Sequence, residues 1–169
     1  MKEVIIYTDG ACLGNPGPGG YGVVLKYGEH RKELSEGFRM TTNNRMEILA
    51  AIVALKAIKS NEKVKIILHS DSQLLIKAVN EGWLSKWQKK NWKTKGNENR
   101  LNYDLWIKLH EELPKHLVEF RWVKGHVGIP ENERCDVLSK EAASKSNLKI
   151  DKEYEKMKME KSINEILVK

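Results

Sequence analysis

Residues 4–10 constrain this chain more than any other stretch. Val4, Ile5, Ile6 and Tyr7 follow one another without helical spacing and give way to Thr8, Asp9 and Gly10. This is the pattern of a buried central strand running out into a turn. A carboxylate is thereby delivered to the carboxyl end of a strand, the edge at which open α/β sheets hold ligands. An Asp-Gly pair by itself is ordinarily a turn, so its meaning depends on which other side chains reach the same edge.

Chain direction answers that question. Residues 10–20 are rich in glycine and proline and read as a long turn, with Asn15 offering an amide at its tip. They lack the Gly-Lys-Ser/Thr of a phosphate-binding loop, and GxGxxG is absent. Residues 21–27 and 31–39 then read as the second and third strands of an antiparallel meander. The third strand runs parallel to the first, so it finishes on the edge that carries Asp9.

Thr41, Thr42, Asn43 and Asn44 supply capping residues, and residues 45–60 carry a helical pattern that is apolar almost all round between Ile48 and Leu55. With Asn44 as the cap, Glu47 stands in the first turn, where a capping box is the ordinary explanation. That turn nevertheless begins at Asp9's edge. Residues 64–70 form a fourth strand, which a right-handed crossover sets parallel to the first, beside it or nearby. It stops at Asp71, which either caps the next helix, residues 72–81, or shares a cation with Asp9, since neighbouring strands lie roughly 4.8 Å apart. Residues 117–123 make a fifth, parallel strand that empties into the loop holding His126. A last helix starting around Glu131 to Glu133 places Asp136 in its first turn or two, where an acid is ordinarily a dipole partner. The expected fold is α/β, with a five-stranded mixed sheet flanked by helices.

The charge balance gives a second constraint. Thirty Lys and Arg stand against 23 Asp and Glu, a net charge of +7 with a pI near 9.3, which suits a polyanionic partner. Trp83, Trp87 and Trp92 alternate with Lys86, Lys89, Lys90, Lys93 and Lys95 at near-helical spacing. Either the tryptophans form an apolar face that packs on the core while the lysines project, or the mixture grips a sugar-phosphate backbone. Two cysteines without metal-ligand spacing, Cys12 and Cys135, read as free thiols, and the lack of a signal-peptide core or membrane-length run points to the cytoplasm. Past residue 145 the sequence alternates Lys and Glu with scattered apolar residues, a solvated helix or a loose tail.

Each acid has an ordinary explanation; their convergence does not. Two unit charges about 5 Å apart repel by roughly 3 kcal/mol at an effective dielectric of about 20, and Asp9, Glu47, Asp71 and Asp136 make several such pairs. Protonation or divalent cations must relieve them. Oxygen-only ligands favour magnesium, or manganese as a close substitute. Two ions roughly 4 Å apart suit an in-line phosphodiester displacement by water.

The motifs carrying these residues resemble those of bacterial type 1 ribonuclease H: Tyr7 to Gly10, Gly14 to Gly20, Thr41 to Glu47, Ser70 to Gln73, Val123 to His126 and Glu131 to Asp136. The resemblance covers about residues 1–146, as a catalytic domain, and leaves residues 147–169 as a charged C-terminal extension. It implies a monomeric, magnesium-dependent endoribonuclease that cuts the RNA strand of RNA–DNA hybrids, leaving 5′-phosphate and 3′-hydroxyl ends. By the same resemblance Asp9 bridges two metal ions, Asp136 joins it on the water side, Glu47 and Asp71 complete the leaving-group side, and His126 moves protons or helps release product. Cys12, Asn15, Asn43, Asn44 and Gln73 match positions that read the minor groove, Thr42 seats a DNA phosphate, and the segment with Trp83, Trp87, Lys89, Lys90 and Trp92 matches a basic protrusion. Gln88 and Asn91 interrupt that protrusion. Two other readings share the acidic edge: a nuclease of the same fold acting on DNA, and a catalytically idle hybrid-binding module.

Overall fold

The computed structural model describes residues 1–125 and 128–168. Its sheet has the order β3-β2-β1-β4-β5, built from β1 (Glu3–Cys12), β2 (Gly17–Tyr27), β3 (His30–Thr41), β4 (Lys65–Ser70) and β5 (Leu117–Trp122). Strands β1, β2 and β3 form the antiparallel meander, and β4 and β5 run parallel to β1, as the chain directions require. The crossover to β4 is α1 (Asn43–Lys56). The crossover to β5 is α2 (Gln73–Asn80), α3 (Trp83–Lys89) and α4 (Tyr103–Glu112). Then come α5 (Pro130–Ala143) and α6 (Lys152–Val168).

Alternation along β1 separates the two faces of the sheet. Val4 and Ile6 join Ile48, Ile52, Ile66, Leu68, Leu75, Trp106 and Leu109 in the main core. Tyr7 packs on the other face with Val24, Cys135 and Leu138, beneath α5. This second layer is thin because β2 carries glycines there. A β-carbon at Gly20 would stand 2.6 Å from the Ser139 carbonyl oxygen, and one at Gly22 would run into that of Cys135. The helix therefore lies almost backbone to backbone on the sheet. Gly17, Gly19 and Gly20 belong to this strand, whereas the sequence reads residues 10–20 as a long turn. The turn is confined to the few residues between Cys12 and Gly17, and β1 continues past Asp9 with Cys12 opposite Gly19.

Two helix boundaries also differ from the sequence pattern. Helix α1 is capped by Thr42, whose hydroxyl accepts from the Arg45 amide at 3.2 Å, so Asn44 is inside the helix and Glu47 lies beyond the capping turn. Helix α3 stops at Lys89, after which Asn91 and Trp92 adopt left-handed backbone (φ 53° and 60°). That reversal folds Trp92 back, its ring 5.9 Å from His110. The C-terminal extension is helical as α6, and its approach is fastened to the sheet: Lys149 bridges Phe38, the Lys149 amide donates to the Gly37 carbonyl, and the Arg39 amide donates to the Lys149 carbonyl.

Candidate active site

Register brings the first two acids together. Parallel pairing sets Ile5 opposite Ile67 and Tyr7 opposite His69, and the same offset carries Asp9 level with Asp71 where β4 ends. The capping role considered for Asp71 belongs to Ser72, whose hydroxyl accepts from the Leu75 amide at 3.2 Å. Asp71 is instead fixed through its backbone, its carbonyl accepting from the Trp122 indole N–H at 3.3 Å.

Glu47 arrives because Gly10 admits the start of α1. A β-carbon at Gly10 would stand 2.5 Å from the Glu47 backbone nitrogen. As a result one carboxylate oxygen from each of Asp9, Glu47 and Asp71 falls within 4.8 Å of the others. Asp136 comes by a different route, on α5, and lines the same cleft of about 550 Å³. It stands outside the group of three, its carboxylate ion-paired to Lys140 at 3.0 Å.

The electrostatics are those of a site short of positive charge. Burial, then the neighbouring Asp71, pushes the Asp9 carboxyl up to about 7; a hydrogen bond from Glu47 and another from the Gly10 amide work against this, and Asp136 adds to it. Burial, then Asp9 and Asp71, holds Glu47 well above the ordinary carboxylate range. Near neutral pH, without a cation, these two groups keep a proton that solvent-exposed carboxylates would have lost. Glu47 Oε2 is enclosed and has no hydrogen-bond partner. An orphaned acceptor between like charges is a defect for a structural cluster and suits a cation, so the oxygen donor set fits a divalent metal of the magnesium or manganese type.

Around the acids, Cys12, Asn43, Asn44, Gln73 and Lys140 line the cleft. Asn15 Oδ1 accepts from the Asn43 amide at 3.1 Å, tying the turn after β1 to the first residue of α1. The Cys12 thiol donates to the Gly17 and Thr41 carbonyls, both at 3.3 Å, and burial raises its pKa. The tryptophans follow the apolar-face reading: Trp83, Trp87 and Trp92 pack against the main core, with the Trp87 ring tilted against Trp106 at 5.4 Å and under the Arg100 guanidinium. Lys86, Lys89 and Lys90 are exposed. The two interruptions of the protrusion have local roles, Gln88 bonding His110 at 3.0 Å and Asn91 supplying the left-handed turn. His126 lies outside the described residues. Lys140 was not singled out by the sequence reading, although its position one helical turn past Asp136 is the usual signal for an ion pair.

With this geometry in hand, comparison with known proteins is decisive. The RNase H family model matches residues 1–144. The chain belongs to the RNase H family. It is 61% identical over 154 residues to the ribonuclease H of Syntrophus aciditrophicus, covering 91% of this chain and 88% of that one. Among solved structures it is similar to LC9-RNase H1, described as a type 1 RNase H with the type 2 active-site motif (TM-score 0.76, 32% identity, 84% of this chain and 72% of that one). It is also similar to LC11-RNase H1 in complex with an RNA/DNA hybrid (TM-score 0.59, 27% identity, 83% and 96%). Among the described residues no helix is long and apolar enough to cross a membrane.

Proposed function

We propose that this RNase H family member is a divalent-metal-dependent endonuclease that hydrolyses the RNA strand of RNA–DNA hybrids. The observation that carries the proposal is the cluster of Asp9, Glu47 and Asp71, one of whose oxygens lacks any partner, in a cleft walled by the amide side chains of Asn43, Asn44 and Gln73. Asp9, Glu47, Asp71 and Asp136 are the residues that would hold the metal, and Mg2+, or Mn2+ in its place, supplies activation of water and charge neutralisation at the leaving oxygen when two ions are bound. Water attacks phosphorus in line, the bond from phosphorus to the 3′ oxygen breaks, and that oxygen takes a proton, leaving 5′-phosphate and 3′-hydroxyl ends. In this reading Asp9 would serve both ions, Asp136 would contribute on the water side, and Glu47 with Asp71 would contribute on the leaving-group side.

Substrate choice follows from the wall of the cleft. Amides of Asn43, Asn44 and Gln73 donate and accept, as does the exposed Asn15, and with Cys12 they suit the minor groove where 2′-hydroxyls distinguish RNA. Thr42 and the exposed Lys89 and Lys90 serve the DNA strand's phosphates, Trp83, Trp87 and Trp92 holding the platform that presents those lysines. His126 takes or delivers a proton, a role imidazole commonly fills near neutral pH. We assign catalysis to residues 1–146, acting as a monomer, and two free thiols fit a reducing cytoplasm.

The test is digestion of matched RNA–DNA, RNA–RNA and DNA–DNA duplexes with Mg2+ and with chelator. RNA-strand cleavage confined to the hybrid and abolished by chelator is expected. Preferential cutting of DNA duplex, a hybrid left whole in excess Mg2+, or cleavage that survives chelation would each overturn the proposal.

A further inference from the structure

Arg45 is 1% exposed, in a protein whose other cations are mostly on the surface, and every N–H of its guanidinium has an acceptor. Nε and Nη2 donate to the two Asp151 oxygens at 2.7 and 3.0 Å, Nη1 and Nη2 to the two Asp104 oxygens at 2.9 and 2.8 Å, and Nη1 also to Asn102 Oδ1 at 3.4 Å. Burial opposes the charge, but Asp104 and Asp151 more than offset it and raise the Arg45 pKa above the ordinary arginine value. Asp151 does more than pair. Its Oδ2 also accepts from the Thr41 hydroxyl at 2.8 Å, and its Oδ1 from the Tyr154 amide at 3.3 Å, at the start of α6.

These contacts converge on one short segment. Thr41 ends β3, Thr42 caps α1, Asn43 and Asn44 line the cleft, and Glu47 is two residues past Arg45. A carboxylate in the C-terminal extension, 106 residues from Arg45, thus grips both sides of the pair of asparagines. The pairing of Lys149 with Phe38 and the Arg39–Glu155 ion pair at 2.8 Å bring Asp151 to this position.

We infer that Asp151 is a positioning residue for hybrid recognition: by clamping Thr41 and Arg45 it fixes the first turn of α1, and with it the direction in which Asn43 and Asn44 face the substrate. The inference rests on the proposed hybrid specificity. It gives the extension beyond the family match a role within the site, without any contact to substrate.

A double-variant cycle tests it, with hybrid affinity measured in chelator so that no turnover occurs. Asp151→Asn should raise the hybrid Kd about tenfold, and Asn44→Ala should raise it as well. The two together should fall about fivefold or more short of the product of the single effects, because the amide of a misaligned turn has already lost its contact. Asp151→Asn with Lys89→Ala should multiply. A purely structural role predicts multiplication in both pairs, and that result, or an unchanged Kd in Asp151→Asn, overturns the inference. Should Asp151→Asn not fold, Thr41→Val decides: it removes one Asp151 contact and leaves Arg45 paired, and its coupling with Asn44→Ala should have the same sign at smaller size, multiplication again refuting the idea. Failure of the unsubstituted protein to bind hybrid would sink the proposed function instead, so the two failures are separable.

Discussion

Two clusters of acids flank the start of α1, and they are built on opposite plans. Around Arg45, Asp104 and Asp151 enclose a guanidinium whose donors are all used. Around Glu47, Asp9 and Asp71 supply only negative charge, and one Glu47 oxygen is left without a partner. The first is electrically complete within the protein; the second has the oxygen donors to hold a cation from outside. Two residues of sequence separate them, so the difference lies in what the tertiary fold brings to each side of one helical turn. Completeness of charge distinguishes an acid cluster that fastens the fold from one that serves chemistry.

Substitutions should therefore act in opposite directions at the two clusters. Asp9→Asn is expected to lower hybrid cleavage by about a thousandfold or more, since it removes the carboxylate proposed to serve both metal ions at nearly constant shape. In chelator the same variant should melt higher than the unsubstituted protein, by a few kcal/mol of stability, because a repelled charge is gone. Parallel single-turnover assays and thermal melts check both halves, and a stable variant with near-normal cleavage would break the contrast. Arg45→Met should do the reverse and destabilise by about 3–5 kcal/mol, as two carboxylates lose the buried cation they share. A chemical denaturation curve measures this.

A pH series sharpens the contrast. The Asp9 carboxyl sits at about 7 in the fold against an ordinary 3.8, so between those values the metal-free folded state holds more protons than the unfolded chain. Stability must then fall as pH rises through this window and level off above it. Melting temperatures in chelator at pH 4 to 8 should show that decline, and Asp9→Asn should flatten it. Cleavage in Mg2+ should fade below about pH 7, as protons and metal compete for the same oxygens.

The smallest effect concerns Lys140, the single basic side chain lining the cleft among the described residues. Its 3.0 Å pair with Asp136 is largely exposed, the kind of contact that contributes less than about 1 kcal/mol. Lys140→Ala should accordingly tighten Mn2+ binding by roughly two- to fivefold in calorimetry. Unchanged affinity would mean that Asp136 does not face the metal.

The sheet was readable from the sequence because strands announce themselves: residues 4–10, 64–70 and 117–123 carry apolar runs, and chain direction then forces Asp9, Glu47 and Asp71 to one edge. Capping was harder to read. Thr41, Thr42, Asn43 and Asn44 are all competent caps, and only the position of β3's end selects Thr42. Gly17, Gly19 and Gly20 could not be read as strand, since glycine has no side chain to alternate, and Gly20 is fitted to a helix more than a hundred positions downstream while Gly17 and Gly19 are fitted to the turn after β1 and to Thr41. The Arg45 network was invisible for a related reason: ion pairs between residues 45, 104 and 151 leave no local periodicity. The tryptophans near α3 had two open readings, and the fold uses their rings for the core while the intervening lysines project.

The glycine seam of β2 also sets a tolerance. Helix α5 rests on Gly20 and Gly22 with no strand side chain between, so the height of α5, and with it of Asp136, above the sheet is set by a strand without β-carbons. A methyl group inserted at Gly22 would act as a shim, lifting one wall of the cleft while the other three acids, mounted on β1, α1 and the end of β4, stayed at their stations.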